Sequence, residues 1–290
     1  MAAHVTPKSA SAKPRSPRKG ASPAEAVRLL DGLKALHPDA HCELVHANAF
    51  ELLCATVLSA QTTDVAVNKV TPKLFAAYPT AATLAAADPK AHVEPLISTI
   101  GMFRQKAKNI VGLAKMLVER HHGEVPRTLE DLVALPGVGR KTANVVLGVA
   151  FGCPEGVVVD THVQRLSQRL GLTRETEPEK IERALCTLLP RDRWDETSHV
   201  LIFHGRRVCA AIKPNCEGCG VKELCPSAFH AEEVGRKPPK SRAVAASPKK
   251  SARTATSATK KAAKTATKKA PAAAAKTKAA APPKKRAARG

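Results

Sequence analysis

Residues 1–20 hold five Lys and Arg and no acid, and residues 236–290 hold eighteen and no acid. Between them, residues 21–235 carry 24 basic and 25 acidic side chains and are close to neutral. This partition confines the foldable part of the 290-residue chain to its middle. The ends are also low in complexity. Residues 1–23 mix Lys, Arg, Ser, Pro and Ala, and 236–290 run through strings such as KKAAKTATKKA. Neither has enough large apolar residues to offset the entropy lost on ordering, so 1–23 and 231–290 are expected to be disordered tails. The chain is 43% hydrophobic, which leaves ample material in the middle for one or two domains. The formal net charge of +22 therefore belongs to the tails, which suit a polyanion, and not to the globule.

Several classes are excluded by what the middle lacks. Its longest apolar run, Val145 to Cys153, is nine residues, about half the ~18 of a membrane span. The basic N-terminus has no apolar stretch behind it, so no secretory signal is visible. Aromatics make up 3% of the chain, too few for a stacking platform that binds RNA or single strands. Residues 24–230 read as helix after helix. Asn48 caps a run with Glu51 at capping-box spacing, and Asp88-Pro89 is a cap followed by proline. Apolar residues at helical spacing run from Phe103 to Arg120. Thr128 opens a helix that stops at Pro136-Gly137, another spans about Lys141 to Ala150, and Asp160-Thr161 opens one ending near Gly171. Pro178 opens the next, and the last runs from about Trp194 to Cys209. Val157-Val158-Val159 is the only strand-like segment, too short and isolated for a sheet. The expected fold class is all-α.

Residues 135–143 read Leu-Pro-Gly-Val-Gly-Arg-Lys-Thr-Ala. Pro136 stops one helix, and Gly137 and Gly139 permit a tight reversal with positive φ. The next helix starts at once, so its free N–H groups and positive dipole end form a ready phosphate site. Lys141 follows directly, and it reads either as one more phosphate contact or as a nucleophile. Burial in a cleft, a neighbouring cation such as Arg140 and a helix N-terminus all act to make a lysine amine more nucleophilic. Lysine is also an unusual choice at a helix start, where acids are favoured. Nineteen residues on, Asp160 reads as a helix N-cap. It reads equally as a carboxylate that can stabilise an oxocarbenium-like charge and help move protons. The two roles are compatible. His162 reads as a DNA-facing or capping polar residue.

Four of the eight cysteines fall within seventeen residues, Cys209-x6-Cys216-x2-Cys219-x5-Cys225. In a chain with no export signal such crowding points to metal ligation rather than disulfides. Structural zinc usually uses two Cys-x2–4-Cys pairs and only one is present; a 4Fe-4S cluster suits uneven spacing equally well. The residues alone leave both open. Cys42, Cys54, Cys153 and Cys186 lie scattered in apolar surroundings, as small hydrophobes do. Lys213, inside the first span, is a candidate phosphate contact.

The string at 135–143 resembles the helix-hairpin-helix motif of DNA-repair glycosylases, which grips a DNA phosphate without reading sequence. With LSAQTTD (58–64), VDTH (159–162) and the four cysteines, it makes residues 24–228 similar to the endonuclease III family. The resemblance implies two helical domains with a DNA-binding groove between them: a barrel over 43–153 carrying the hairpin, and a cluster-bearing domain built from 24–42 and 154–230. It implies a 4Fe-4S cluster on Cys209, Cys216, Cys219 and Cys225, with Lys141 as Schiff-base nucleophile and Asp160 as its carboxylate partner. Gln61 would fill the gap left by a flipped base, and the Ile100-Gly101-Met102 turn would wedge the opposite strand. Leucine is common in the family where Met102 stands. The C-terminal tail lies outside the resemblance and is similar to lysine/alanine-rich, histone-like tails.

These readings converge on a bifunctional DNA glycosylase and abasic-site lyase acting on oxidised pyrimidines in duplex DNA during base excision repair. Its DNA contacts would come from Gln61, Met102, Gly137, Gly139, Arg140, His162 and Lys213. A monomeric, cytoplasmic, nucleoid-associated bacterial protein with no membrane partner is implied. The rivals are the adenine-specific mismatch relative, which lacks this lysine, and a DNA-compacting protein acting through its basic tail.

Overall fold

The computed structural model describes residues 20–235. The expectations for 1–19 and 236–290 lie outside the described residues. Among those described every regular element is helical and no strand is present, so the fold class is all-α. In chain order the helices are α1 (Pro23–Leu36), α2 (Ala49–Leu58), α3 (Asp64–Ala77), α4 (Ala81–Ala85), α5 (Glu94–Ile97), α6 (Phe103–His121), α7 (Leu129–Ala134), α8 (Arg140–Phe151), α9 (Thr161–Arg169), α10 (Pro178–Leu188) and α11 (Trp194–Arg207).

Local chemistry accounts for most of the helix starts. Ser22 and Glu25 exchange hydrogen bonds across the first turn of α1. Ala21 N–H donates to the Gly171 carbonyl at 3.0 Å, so structure begins before residue 24. At the other end the Val234 carbonyl accepts from Arg169 Nε at 2.9 Å, past residue 230. Asn48 caps α2 through the Glu51 N–H, but the Glu51 carboxylate accepts from Ala47 N–H instead of completing the box at Asn48. Asp88 accepts from Ala91 N–H at 2.6 Å, yet Pro89–Val93 forms a π-turn and not an α-helix. Pro95 has no N–H to give the Ala91 carbonyl, which favours the wider turn. Val157–Val159 forms no strand, and the Val158 N–H donates to Ser198 Oγ at 2.9 Å. The periodicity left α3 and α4 undelimited, since α3 carries Pro72 and α4 lies in an alanine-rich stretch.

Burial of the apolar faces gives two cores. Helices α2 to α8 enclose one, around Leu52, Leu53, Leu58, Ile110, Leu113 and Leu147. The other gathers α1 with α9, α10 and α11, around Leu30, Leu33, Leu166, Ile181, Leu185 and Leu201. Helix α8 links them, packing on α2 and α7 and touching α11. Gly148 permits that last approach: a Cβ there would lie 2.4 Å from Asp195 Oδ1.

Candidate active site and cysteine centre

The hairpin between α7 and α8 is anchored by Leu135 and Val138, both buried in the first core. Gly137 has φ +78, and a Cβ on it would lie 2.6 Å from Asn109 Nδ2. Backbone and space both demand glycine there. Gly139 departs from the expectation of positive φ. It is extended, at φ −99, and nothing lies within 4 Å of where its Cβ would be. Its contribution is openness: α8 has no side-chain cap, and its first N–H groups are left for an outside acceptor.

Arg140 does not stand bare beside this helix end. Its Nε and Nη2 donate to the Glu182 carboxylate at 2.9–3.1 Å. Glu182 is itself buried and accepts from Asn144 Nδ2 at 3.3 Å. The pair ties α8 to α10, so the charge that the sequence assigned to phosphate is already balanced inside the protein. Lys141 is exposed. Burial and an unpaired neighbouring cation, two of the three influences expected at Lys141, are therefore absent, and the helix N-terminus remains.

Lys141 lines a cleft of about 370 Å³ with Gln61, Asp64, Asp160, Asp195, His199 and Arg206 among its walls. Asp160 reaches it from the N-cap of α9. One oxygen, Oδ1, accepts from the N–H groups of His162 and Val163, both at 2.8 Å. The other, Oδ2, takes no hydrogen bond among the described residues. One atom caps the helix and the second is left for the cleft.

A third charged group stands with them. Asp64, the first residue of α3, has its carboxyl held above the usual range, chiefly by burial; Lys141 opposes the rise and Asp160 adds to it. Arg206 of α11 donates to Asp64 Oδ2 at 3.3 Å and pairs with Glu43, so it bridges the two cores along the cleft. Asp64, Arg206 and Glu43 were not legible as site residues. Asp64 reads in the sequence as an ordinary first-turn acid.

Gln61 and Met102 share a rare backbone state, φ 53 and φ 55. A side chain in the left-handed region costs on the order of 1–3 kcal/mol. Gln61 lines the cleft; Met102, 51% exposed, starts α6 away from it. One turn into α6, Lys106 is buried, and its Nζ donates to Thr62 Oγ1 at 2.6 Å. Burial lowers its pKa. This lysine ties the Met102 turn to the Gln61 loop. The helical register offered a signal for it, because Lys106 falls on the stripe of Ile110, Leu113 and Leu117. His162 is half-buried, with its ring Nδ1 3.3 Å from Arg165 Nη2 and against Gly205, turned toward α11. Lys213 is exposed at φ 53 on the loop between Cys209 and Cys216, and its N–H donates to Glu232. Neither His162 nor Lys213 lines the cleft, and neither do Met102, Gly137, Gly139 and Arg140.

The four clustered cysteines converge on one small cavity whose walls include Leu170, His204, Val208, Ala228 and Ala231. Burial and then the neighbouring cysteines raise the Cys225 thiol to about 11, and Cys219 is raised for the same reasons. Two nitrogens face the sulfurs: Arg169 Nη1 donates to Cys209 Sγ at 3.4 Å, and the imidazole Nε2 of His204 lies 3.7 Å from Cys219 Sγ. Among the described residues no three His, Cys, Asp or Glu side chains converge closely enough to hold a single metal ion. Cys54 is buried, and Cys42, Cys153 and Cys186 are half-buried against the cores.

Residues 54–191 match the HhH-GPD superfamily of base excision DNA repair proteins. Endonuclease III of Synechocystis is 54% identical over 212 residues, 73% of this chain and 96% of that protein. The Escherichia coli K12 enzyme is 42% identical over 202 residues, 70% and 95% of the two chains. The chain belongs to the endonuclease III family. Among solved structures, a non-covalent endonuclease III–DNA complex is 45% identical with a TM-score of 0.67, covering 73% of this chain and 98% of that one. A trapped covalent endonuclease III–DNA intermediate matches equally well. About seven-tenths of this chain thus matches nearly the whole length of these relatives. No helix among the described residues is long and apolar enough to cross a membrane.

Proposed function

We propose that this endonuclease III family member is a base excision repair glycosylase and abasic-site lyase that acts on oxidised pyrimidines in duplex DNA. Lys141 is the nucleophile and Asp160 its carboxylate partner. One observation carries the reading: a lysine at an uncapped helix start and an aspartate with a free oxygen line the same cleft. The base must leave the stack to reach that cleft, which favours damaged, poorly stacked bases. The Lys141 amine bonds to C1′ as the glycosidic C–N bond breaks, and the base departs with a proton. Asp160 Oδ2 faces the positive charge that grows on the sugar, where an anion is most effective. Loss of an amine proton and opening of the sugar ring give an imine between Lys141 and C1′. The imine acidifies C2′; removal of that proton breaks the C3′–O bond, and the phosphate leaves as the 5′-phosphate end of the downstream strand. Gln61, already held in its left-handed loop, is suited to the space left by the base. The exposed Met102 is suited to the opposite strand.

The division into a hairpin-bearing barrel over 43–153 and a second domain from 24–42 and 154–230 is part of the same proposal. It is supported by the separate apolar cores. So is the cofactor. Four thiols around one apolar-walled cavity, with an Arg169 N–H aimed at one sulfur and the His204 imidazole beside another, are the donor set of an iron–sulfur cluster. Cys209, Cys216, Cys219 and Cys225 would hold it. The group would brace the 209–225 loop, and no step above passes through it.

Borohydride trapping tests the chemistry. Wild-type protein should form a covalent adduct with duplex DNA carrying an oxidised pyrimidine. Lys141→Gln should lose the adduct but keep most of its DNA affinity, because the hairpin amides remain. Trapping at wild-type yield by the variant would remove Lys141 from the role.

A further inference from the structure

We infer that Arg169 is the protein's own counter-ion for the iron–sulfur cluster, a positioning residue that governs how firmly the cluster is held and at what potential it changes oxidation state. This rests on the cluster reading above. Arg169 ends α9 and heads the fully buried side chains by volume, with no exposed surface. Its Nη1 donates to Cys209 Sγ at 3.4 Å and to the Ala210 carbonyl at 2.7 Å. Its Nη2 donates to the Ala211 carbonyl at 3.0 Å and its Nε to the Val234 carbonyl at 2.9 Å. Its own carbonyl lies 3.7 Å from Cys225 Sγ. The side chain therefore touches one cysteine of the set and the backbone touches another.

What it lacks is an anion. Among the described residues Arg169 takes part in no ion pair with a carboxylate. A guanidinium keeps its charge in a protein, so it cannot escape burial by losing a proton. Carbonyls satisfy its N–H groups and leave the charge unbalanced, a costly state in a buried site. The helix compounds the problem. Arg165, one turn earlier, is also buried, and its Nη2 donates to the Gly205 and Cys209 carbonyls and not to an acid. Like charges at this spacing repel. Two buried cations one turn apart, both reaching Cys209, describe a place built to face negative charge. Four thiolates on a four-iron, four-sulfide core carry a net charge of about −2, which supplies it. Each electron added to the cluster makes the site more negative, so the nearby cation and its N–H···S bond favour the reduced form.

The test uses purified wild-type, Arg169→Met and Arg169→Lys holoprotein. Iron content, the rate of loss of visible absorbance in chelator, and the potential of the cluster's one-electron couple at an electrode are read beside the thermal melt. Arg169→Met should lose iron at least about tenfold faster. Its redox equilibrium should shift about tenfold toward the oxidised form, about 59 mV to lower potential for one electron. Arg169→Lys keeps the charge without the fork and should fall between. A Met variant with wild-type retention and potential overturns the inference. So do Met and Lys variants impaired alike, because packing and not charge would then be at stake. If Arg169→Met yields no folded protein, Arg169→Lys decides: iron-loaded supports the inference, iron-free overturns it. Wild-type protein with one zinc and no iron would sink the cluster reading itself, and this inference with it.

Discussion

Asp160 divides its labour between two oxygens, and substitutions can separate them. Oδ1 accepts the His162 and Val163 N–H groups at 2.8 Å, while Oδ2 carries no hydrogen bond among the described residues. Asp160→Asn keeps an acceptor at the cap and removes the charge. The loss of a favourable carboxylate at a helix N-terminus is worth about 0.3–1 kcal/mol, or roughly 2–4 °C of melting temperature for each kcal/mol in a domain of this size. Asp160→Ala also leaves two backbone N–H groups without their acceptor, a further loss of about 1–2 kcal/mol. Catalysis should rank the variants differently. Removing an anion that meets transition-state charge costs about 10²–10³ in rate. A proton-transfer role adds to that, so both variants should fall by about 10²–10⁴. Single-turnover base release from duplex DNA with an oxidised pyrimidine, beside urea melts, reads both quantities. The reasoning fails if Asp160→Asn stays within about tenfold of the wild-type rate. It fails also if rate losses track stability losses across the two variants, since Asp160 would then be a cap alone.

Three further predictions follow from neighbouring features. Gly137→Ala, left-handed and facing Asn109, should destabilise by about 1–3 kcal/mol. Gly139→Ala, extended and in open space, should cost under ~1 kcal/mol yet weaken duplex binding by anisotropy; equal stability losses would contradict the geometry. Lys106→Met removes a buried cation whose pKa is lowered by burial. A base with a lowered folded pKa contributes stability above its unfolded pKa and loses it as pH falls through the folded one. Wild type should therefore gain on the Met variant as pH rises toward about 10.4, and a pH-independent gap in urea midpoints would argue against a buried charge. Deleting 236–290 removes eighteen positive charges and no acid. Each phosphate that the shortened chain no longer neutralises should flatten the log-affinity against log-salt slope on undamaged duplex by about 0.9, while single-turnover chemistry on bound lesions holds. An unchanged slope would make the tail a mere appendage.

Much of this protein is decided within a few residues of chain and so can be read from sequence. Ser22, Asn48, Thr128 and Asp160 accept N–H groups two or three residues ahead, and a helical ladder closes within four. The all-α class and these helix starts follow from such local bonds, and the cysteine spacing is read from the chain directly. Charge pairing obeys a different rule. A cation settles on whichever anion or hydrogen-bond acceptor the fold brings near, and neither periodicity nor spacing names that partner. Arg140 meets Glu182 across 42 residues, Lys106 meets Thr62 across 44 and Arg206 meets Asp64 across 142. Those encounters paired Arg140 with a buried carboxylate and buried a lysine beneath the Gln61 loop. They also set a third charged residue beside Lys141 and Asp160. Arg169 shows the same divide most plainly. In sequence it is an ordinary last-turn arginine suited to a helix C-terminus. Only packing encloses it completely and turns its guanidinium onto Cys209, because burial is a property of the assembled cores and not of the helix that carries the residue.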